Sequence, residues 1–98
     1  EAIVLGGMEP LDSFNDVCDL ILAANNIPIC IYTGYTESEQ KVKDLIKFIQ
    51  IHKIKNIIIK VGRYIPNKPS RYDNILGVVL ASDNQYAIKV DENNENRT

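Results

Sequence analysis

Three short apolar runs, residues 2–5, 29–33 and 57–61, are separated by two stretches with the spacing of amphipathic helices. No other feature restricts the possible folds as much. In the first stretch Phe14, Val17, Cys18 and Ile21 recur at i, i+3, i+4 and i+7, which puts one apolar stripe on a helix. In the second, Val42, Leu45, Ile46 and Ile49 repeat the spacing and leave Lys41, Lys43, Asp44 and Lys47 for solvent. Asp12 or Ser13 is placed to cap the first helix, and Asn25-Asn26 end it before Pro28. Thr36 or Ser38 is placed to cap the second, with Glu39 or Gln40 near its first turn. The third apolar run is rich in β-branched residues, as strands are. Short apolar strands alternating with amphipathic helices predict an α/β fold, with parallel strands joined by right-handed crossovers.

The chain then changes character. Residues 62–74, "GRYIPNKPSRYDN", read as a loop with two prolines and several basic residues. Residues 76–81 and 85–90 are apolar and can pair as a hairpin across Ser82-Asp83-Asn84, a weaker turn signal than Asn-Gly. At 98 residues the chain has room for one core. We read residues 1–90 as one domain and the acidic, asparagine-rich residues 91–98 as a disordered polar tail. The start at Glu1-Ala2-Ile3 leaves almost nothing ahead of the first strand, so the chain is expected to be part of a longer protein.

A net charge of −2 offers no basic field for nucleic acid or an anionic membrane. No apolar run approaches the roughly 20 residues that span a bilayer, and no signal peptide is visible, so a cytoplasmic location is expected. Cys18 and Cys30 lie among apolar residues without metal-ligand spacing and read as small hydrophobes. His52, the only histidine, ends the second helix and reads as a surface imidazole. No Ser/His/Asp or Cys/His arrangement is present, and no catalytic residue can be named.

Chemistry, if there is any, belongs at the edge where all the parallel strands end, because ligands bind there in open α/β sheets and in barrels. The segments leaving that edge are "GGMEP", "TGYTES" and "KVGRY". Gly6 and Gly7 allow positive φ and a close approach of backbone to a ligand, Pro10 fixes the chain direction, and Glu9 offers an acceptor. Taken alone, the glycines fit a plain tight turn with Glu9 solvated. The spacing is neither GxGxxG nor a phosphate loop. Arg63, Lys68 and Arg71 with Tyr64 and Tyr72 make a small basic-aromatic loop, suited to a nucleotide or a protein partner if it is more than a solvated loop.

Together these segments resemble a known family. "VLGGMEPL" is similar to the Gly-Gly-Glu/Asp-Pro motif of radical S-adenosylmethionine enzymes, and "ICIYTGYTESE", "KVGRYI" and "LASDNQYAIKV" resemble later segments of one branch, the activating enzymes of anaerobic ribonucleotide reductase. The order of the segments matches over nearly the whole chain. The resemblance implies a partial (βα) barrel of the radical-S-adenosylmethionine type, its parallel strands covered by two helices and followed by a C-terminal strand or hairpin. It implies a parent protein that uses S-adenosylmethionine and a 4Fe-4S cluster to place a glycyl radical on the reductase, its partner. The cofactor would be held by Gly6, Gly7, Met8, Glu9, Pro10, Thr33, Gly34 and Tyr35. Three departures stand out. Met8 is inserted between the glycines and Glu9, Val61 stands where many relatives have an acid, and no Cys-x3-Cys-x2-Cys is present. This chain alone therefore cannot hold the cluster and is expected to be inactive. A missing first strand would expose a sheet edge open to self-association. The alternative is a cluster-less α/β module that binds a nucleotide-like ligand or a protein.

Overall fold

In a computed structural model that describes residues 2–90, the alternation of elements is the one expected. Strand β1 (Ile3–Leu5) leads through a 3-10 turn (Pro10–Ser13) into helix α1 (Phe14–Ala24). Strand β2 (Ile29–Tyr32), helix α2 (Gln40–Ile51) and strand β3 (Ile57–Val61) follow. The rest of the chain forms three further strands: β4 (Arg71–Asp73), β5 (Val78–Leu80) and β6 (Tyr86–Val90).

The main sheet has the order β1-β2-β3-β6. The first three strands are parallel, in the registers Ile3↔Ile29 and Ile29↔Ile57. β6 runs antiparallel to β3, with Ile59 opposite Ile88. The fold is therefore α/β with a mixed four-stranded sheet and two helices, and the sheet stays open rather than closing as a barrel.

Strand geometry sends successive side chains to opposite faces. Ile29, Ile31, Ile57, Ile59, Val61, Ile88 and Val90 share one face and are buried. Val17, Ile21 and Ala24 of α1 and Val42, Leu45 and Ile49 of α2 pack into the same cluster. Both helices thus cover one side of the sheet, as parallel neighbours with crossovers of one hand require. The other side stays largely uncovered: Val4 is 63% exposed, and Cys30, Ile58 and Lys60 are half-buried.

The helix ends follow the sequence in part. Asn25 takes the left-handed conformation at the end of α1, φ 53°, as asparagine tolerates at that position. Ser13 occupies the N-cap of α1 without a side-chain cap bond, and the other candidate cap, Asp12, bonds to Tyr35 and Lys41 instead. α2 starts one residue after Glu39, and neither Thr36 nor Ser38 is its N-cap. Instead, Glu39 reaches back to accept from the Thr36 amide at 2.8 Å.

The expected hairpin between residues 76–81 and 85–90 does not form. β5 pairs with β4, Tyr72 opposite Val79, and β6 pairs with β3. Asp73 links the parts of this arrangement. Its buried carboxylate accepts from the Leu76 amide at 2.8 Å, closing the β4–β5 turn, and from the Ala87 amide at 3.0 Å, on β6. Gln85 adds a bond from its amide nitrogen to the Gly62 carbonyl, 3.3 Å. The segment between β5 and β6 is thus a fixed crossing rather than a tight turn.

A core on one face only makes a direct prediction. Ile59→Ala, a fully buried truncation, should cost about 3 kcal/mol in urea unfolding, whereas Val4→Ala on the uncovered face should stay within about 0.5 kcal/mol. Similar losses at both positions would mean that the second face is also covered.

Candidate functional site

The loops that leave β1, β2 and β3 at their C-terminal ends meet on one edge, as the parallel topology demands. One carboxylate joins the first two. Glu9 Oε2 accepts from the Thr33 hydroxyl at 2.7 Å and the Leu11 amide at 3.0 Å, and Oε1 accepts from the Gly34 amide at 2.8 Å. Glu9 is therefore not a solvated acceptor waiting for a ligand. It caps the 3-10 turn and ties the β1 loop to the β2 loop. Bonds to an ionised acceptor are stronger than neutral ones, so this tie is a firm one.

The third loop joins through backbone. The Gly62 amide donates to the Tyr35 carbonyl at 2.9 Å, and the Thr33 amide donates to the Lys60 carbonyl at 2.9 Å. Gly62 has φ +96°, and a Cβ there would lie 3.0 Å from the Asn84 carbonyl oxygen, so only glycine fits. At Gly34 a Cβ would stand 3.3 Å from the Arg63 side chain and 3.5 Å from Glu9, which shows how closely the three loops converge.

The residues singled out from the sequence divide into two groups. Thr33 is buried, and its hydroxyl both donates to Glu9 and accepts from the Tyr35 amide at 3.1 Å. The Tyr35 ring packs against the core, and its hydroxyl donates to Asp12 at 2.6 Å. Lys41 joins the same carboxylate at 3.0 Å. Glu9, Thr33 and Tyr35 thus hold the edge together from the helix side. Gly6, Gly7 and Met8 are exposed, and Met8 is 92% so. Gly7 has φ +77°, and a Cβ built there would meet nothing within 4 Å. Open space lies over the backbone at this position. Gly6, Met8 and Pro10 also line a shallow cavity of about 240 Å³, shared with Leu5, Val17 and Leu20 beside the free edge of β1.

Two participants escaped the sequence reading. Lys60 faces the uncovered side, its ammonium 5.6 Å from the centre of the Tyr32 ring. Burial lowers its pKa, with the nearby Glu9 charge opposing. Asp12 was expected only as a cap. The Tyr35 hydroxyl and Lys41 hold its carboxyl below the usual aspartate range, and Asp12 in turn raises Lys41.

Cys18 and Cys30 are free thiols, the first on the helix side and the second on the uncovered face. Burial raises the pKa of both, the opposite of what a thiolate ligand requires. Among the described residues no three of His, Cys, Asp and Glu are grouped to hold a metal ion. The described residues do not fit a four-iron cluster. Their exposed glycine backbone does fit a small ligand that needs close main-chain approach. His52 lies at the far end of α2, its ring tilted 38° against Phe48 with ring centres 4.3 Å apart, away from this edge. No helix among the described residues is long and apolar enough to cross a membrane.

No family model matches the sequence, and comparisons with curated proteins and with solved structures also give no match.

Two outcomes test the edge. Glu9→Ala removes the acceptor for three donors and should cost about 2–4 kcal/mol while speeding exchange of the Gly34 amide; unchanged exchange would show that the loops hold without Glu9. Tyr35→Phe should move the Asp12 pKa up toward its ordinary value, read by carboxyl NMR. Because the folded pKa of Asp12 is the lower one, its contribution to stability is complete above the unfolded value. It fades as pH falls through the folded value.

Proposed function

We propose that this chain is the S-adenosylmethionine-binding part of a radical activating enzyme whose partner is anaerobic ribonucleotide reductase. The observation that carries the reading is the strand-end edge itself. An exposed Gly6-Gly7 backbone, open above Gly7, is held in place by a Glu9 carboxylate bonded to Thr33-Gly34 in the loop after the next strand. The glycines let main-chain carbonyls approach a ligand's ammonium group, and Glu9 positions that backbone from behind. Three parallel strands with both helices on one face also suit a segment of a (βα) barrel, whose inner side is the face left uncovered. When bound, S-adenosylmethionine would supply 5′-deoxyadenosyl chemistry directed at a glycine of the reductase once an electron from the parent protein's cluster cleaved its sulfonium bond, and the residues here would hold its amino-acid end. The thiolates for a cluster would come from a segment of the parent protein outside this chain. The free edge of β1 is where that segment, or another copy, would pair.

A second reading is a binding module without cluster chemistry. It is favoured by the β4–β5 hairpin, which exposes Tyr72, Val78 and Val79 close in sequence to Arg63, Lys68 and Arg71. Two of these cations already have partners, Lys68 with Asp83 at 3.9 Å and Arg71 over the Tyr86 ring at 5.8 Å.

The leading proposal expects a Cys-x3-Cys-x2-Cys encoded within about one strand and loop upstream of Glu1. It also expects Gly7→Ala to weaken S-adenosylmethionine binding tenfold or more in equilibrium dialysis, while costing only about 1 kcal/mol of stability for a Cβ at positive φ. An upstream sequence without those cysteines, or undiminished binding by Gly7→Ala, would sink it.

A further inference from the structure

The uncovered face of the sheet has a chemical character of its own. In register across the strands, Tyr32 stands beside Lys60 and Lys60 beside Ala87. One row further down are Val4, Cys30, Ile58 and Lys89. These side chains are apolar, aromatic or cationic, and none is an acid. Gly6 flanks the row at its open end, since a Cβ there would lie 3.7 Å from that of Tyr32.

Lys60 is the outlier on this face. It is half-buried, and its ammonium makes one long bond, 3.3 Å, to the Gly62 carbonyl among the described residues. The ion pairs among the described residues are Lys41–Asp12 and Lys68–Asp83, so Lys60 has no carboxylate at contact distance there. Glu9 is near enough to act through its field, but its oxygens are already committed to Leu11, Thr33 and Gly34. A partly desolvated ammonium without a counter-ion is costly, and its attraction for an incoming anion exceeds that of a surface lysine. The Tyr32 ring beside it offers a flat wall for the body of the same ligand.

We infer that Lys60 anchors the anionic group, a carboxylate or a phosphate, of a small ligand lying over Tyr32 and the Gly6-Gly7 backbone. This rests on the reading of the strand-end edge as a ligand site and adds the charge that the ligand must carry. Its polarity is then defined: cationic groups meet the glycine carbonyls, and the anion meets Lys60. S-adenosylmethionine carries such a carboxylate. A nucleotide would offer phosphate instead.

The test uses the full chain with three probes: S-adenosylmethionine, 5′-methylthioadenosine, which lacks the amino-acid group, and inorganic phosphate. Wild type should prefer S-adenosylmethionine over methylthioadenosine by tenfold or more. Lys60→Met should bring the two within about twofold, and Lys60→Arg should restore most of the preference. A saturable shift of the Lys60 side-chain NMR signal by phosphate, with no binding of S-adenosylmethionine, would keep the anchor and remove the proposed cofactor. Tight S-adenosylmethionine binding that Lys60→Met leaves unchanged would remove the anchor and keep the cofactor. If no probe moves the Lys60 signal in the wild-type chain, the anchor is wrong, and this readout needs no variant to fold.

Discussion

The structure depends on one sheet having its apolar cover on one side only. Isoleucines and valines alternate along β2 and β3 so that every second side chain enters the core. Both connecting helices answer on that face. In a doubly wound sheet a later helix would cover the reverse side, and the strands would be apolar on both faces. Here β3 leads into a small hairpin and an antiparallel strand, and no helix among the described residues covers the reverse side. The half-polar surface around Tyr32 and Lys60 is the result. The surface available to a ligand follows from the order of the connections.

Against that background the strand-end edge is unusually well tied. Short βα loops are ordinarily held by their own turn bonds. Here Glu9 reaches a strand 24 residues away in sequence, and Gly62 reaches back to Tyr35. Each tie uses a donor or acceptor that would otherwise point into solvent or lie unpaired. An edge stiffened in this way can present glycine backbone without that backbone collapsing on itself. Preorganisation of this kind lowers the ordering cost of binding.

Much of the fold was legible because its signals are local. The stripe of Phe14, Val17, Cys18 and Ile21, the stop at Asn25-Asn26 and the three apolar runs all report on near neighbours in sequence. The C-terminal pairing was not legible, since a strand reading Arg71-Tyr72-Asp73 carries no apolar alternation and follows two prolines. Asp73 closes its turn to β5 through the Leu76 amide and ties the pair to β6 through the Ala87 amide, contacts with no trace in periodicity. The site shows the same division. Glycines announced where backbone is exposed. The commitment of Glu9 to Thr33 and Gly34, and the setting of Lys60 beside Tyr32 with no ion pair among the described residues, exist only once distant strands are side by side. A lysine inside a strand reads as a polar alternate, and that it forms no ion pair among the described residues is a property of the assembled face.

The Asp73 carboxylate has a consequence for how this sheet meets others. By taking the Ala87 amide it occupies, with a side chain of the same molecule, a position where β6 could accept a further strand. β1 has no such stopper on its free side among the described residues. The two margins of the sheet are therefore unequal, one plugged and one bare. If two molecules met at this margin about a two-fold axis, both plugged margins would face outward and the pair would have no edge left to extend from. A sheet with two bare margins would instead grow without limit.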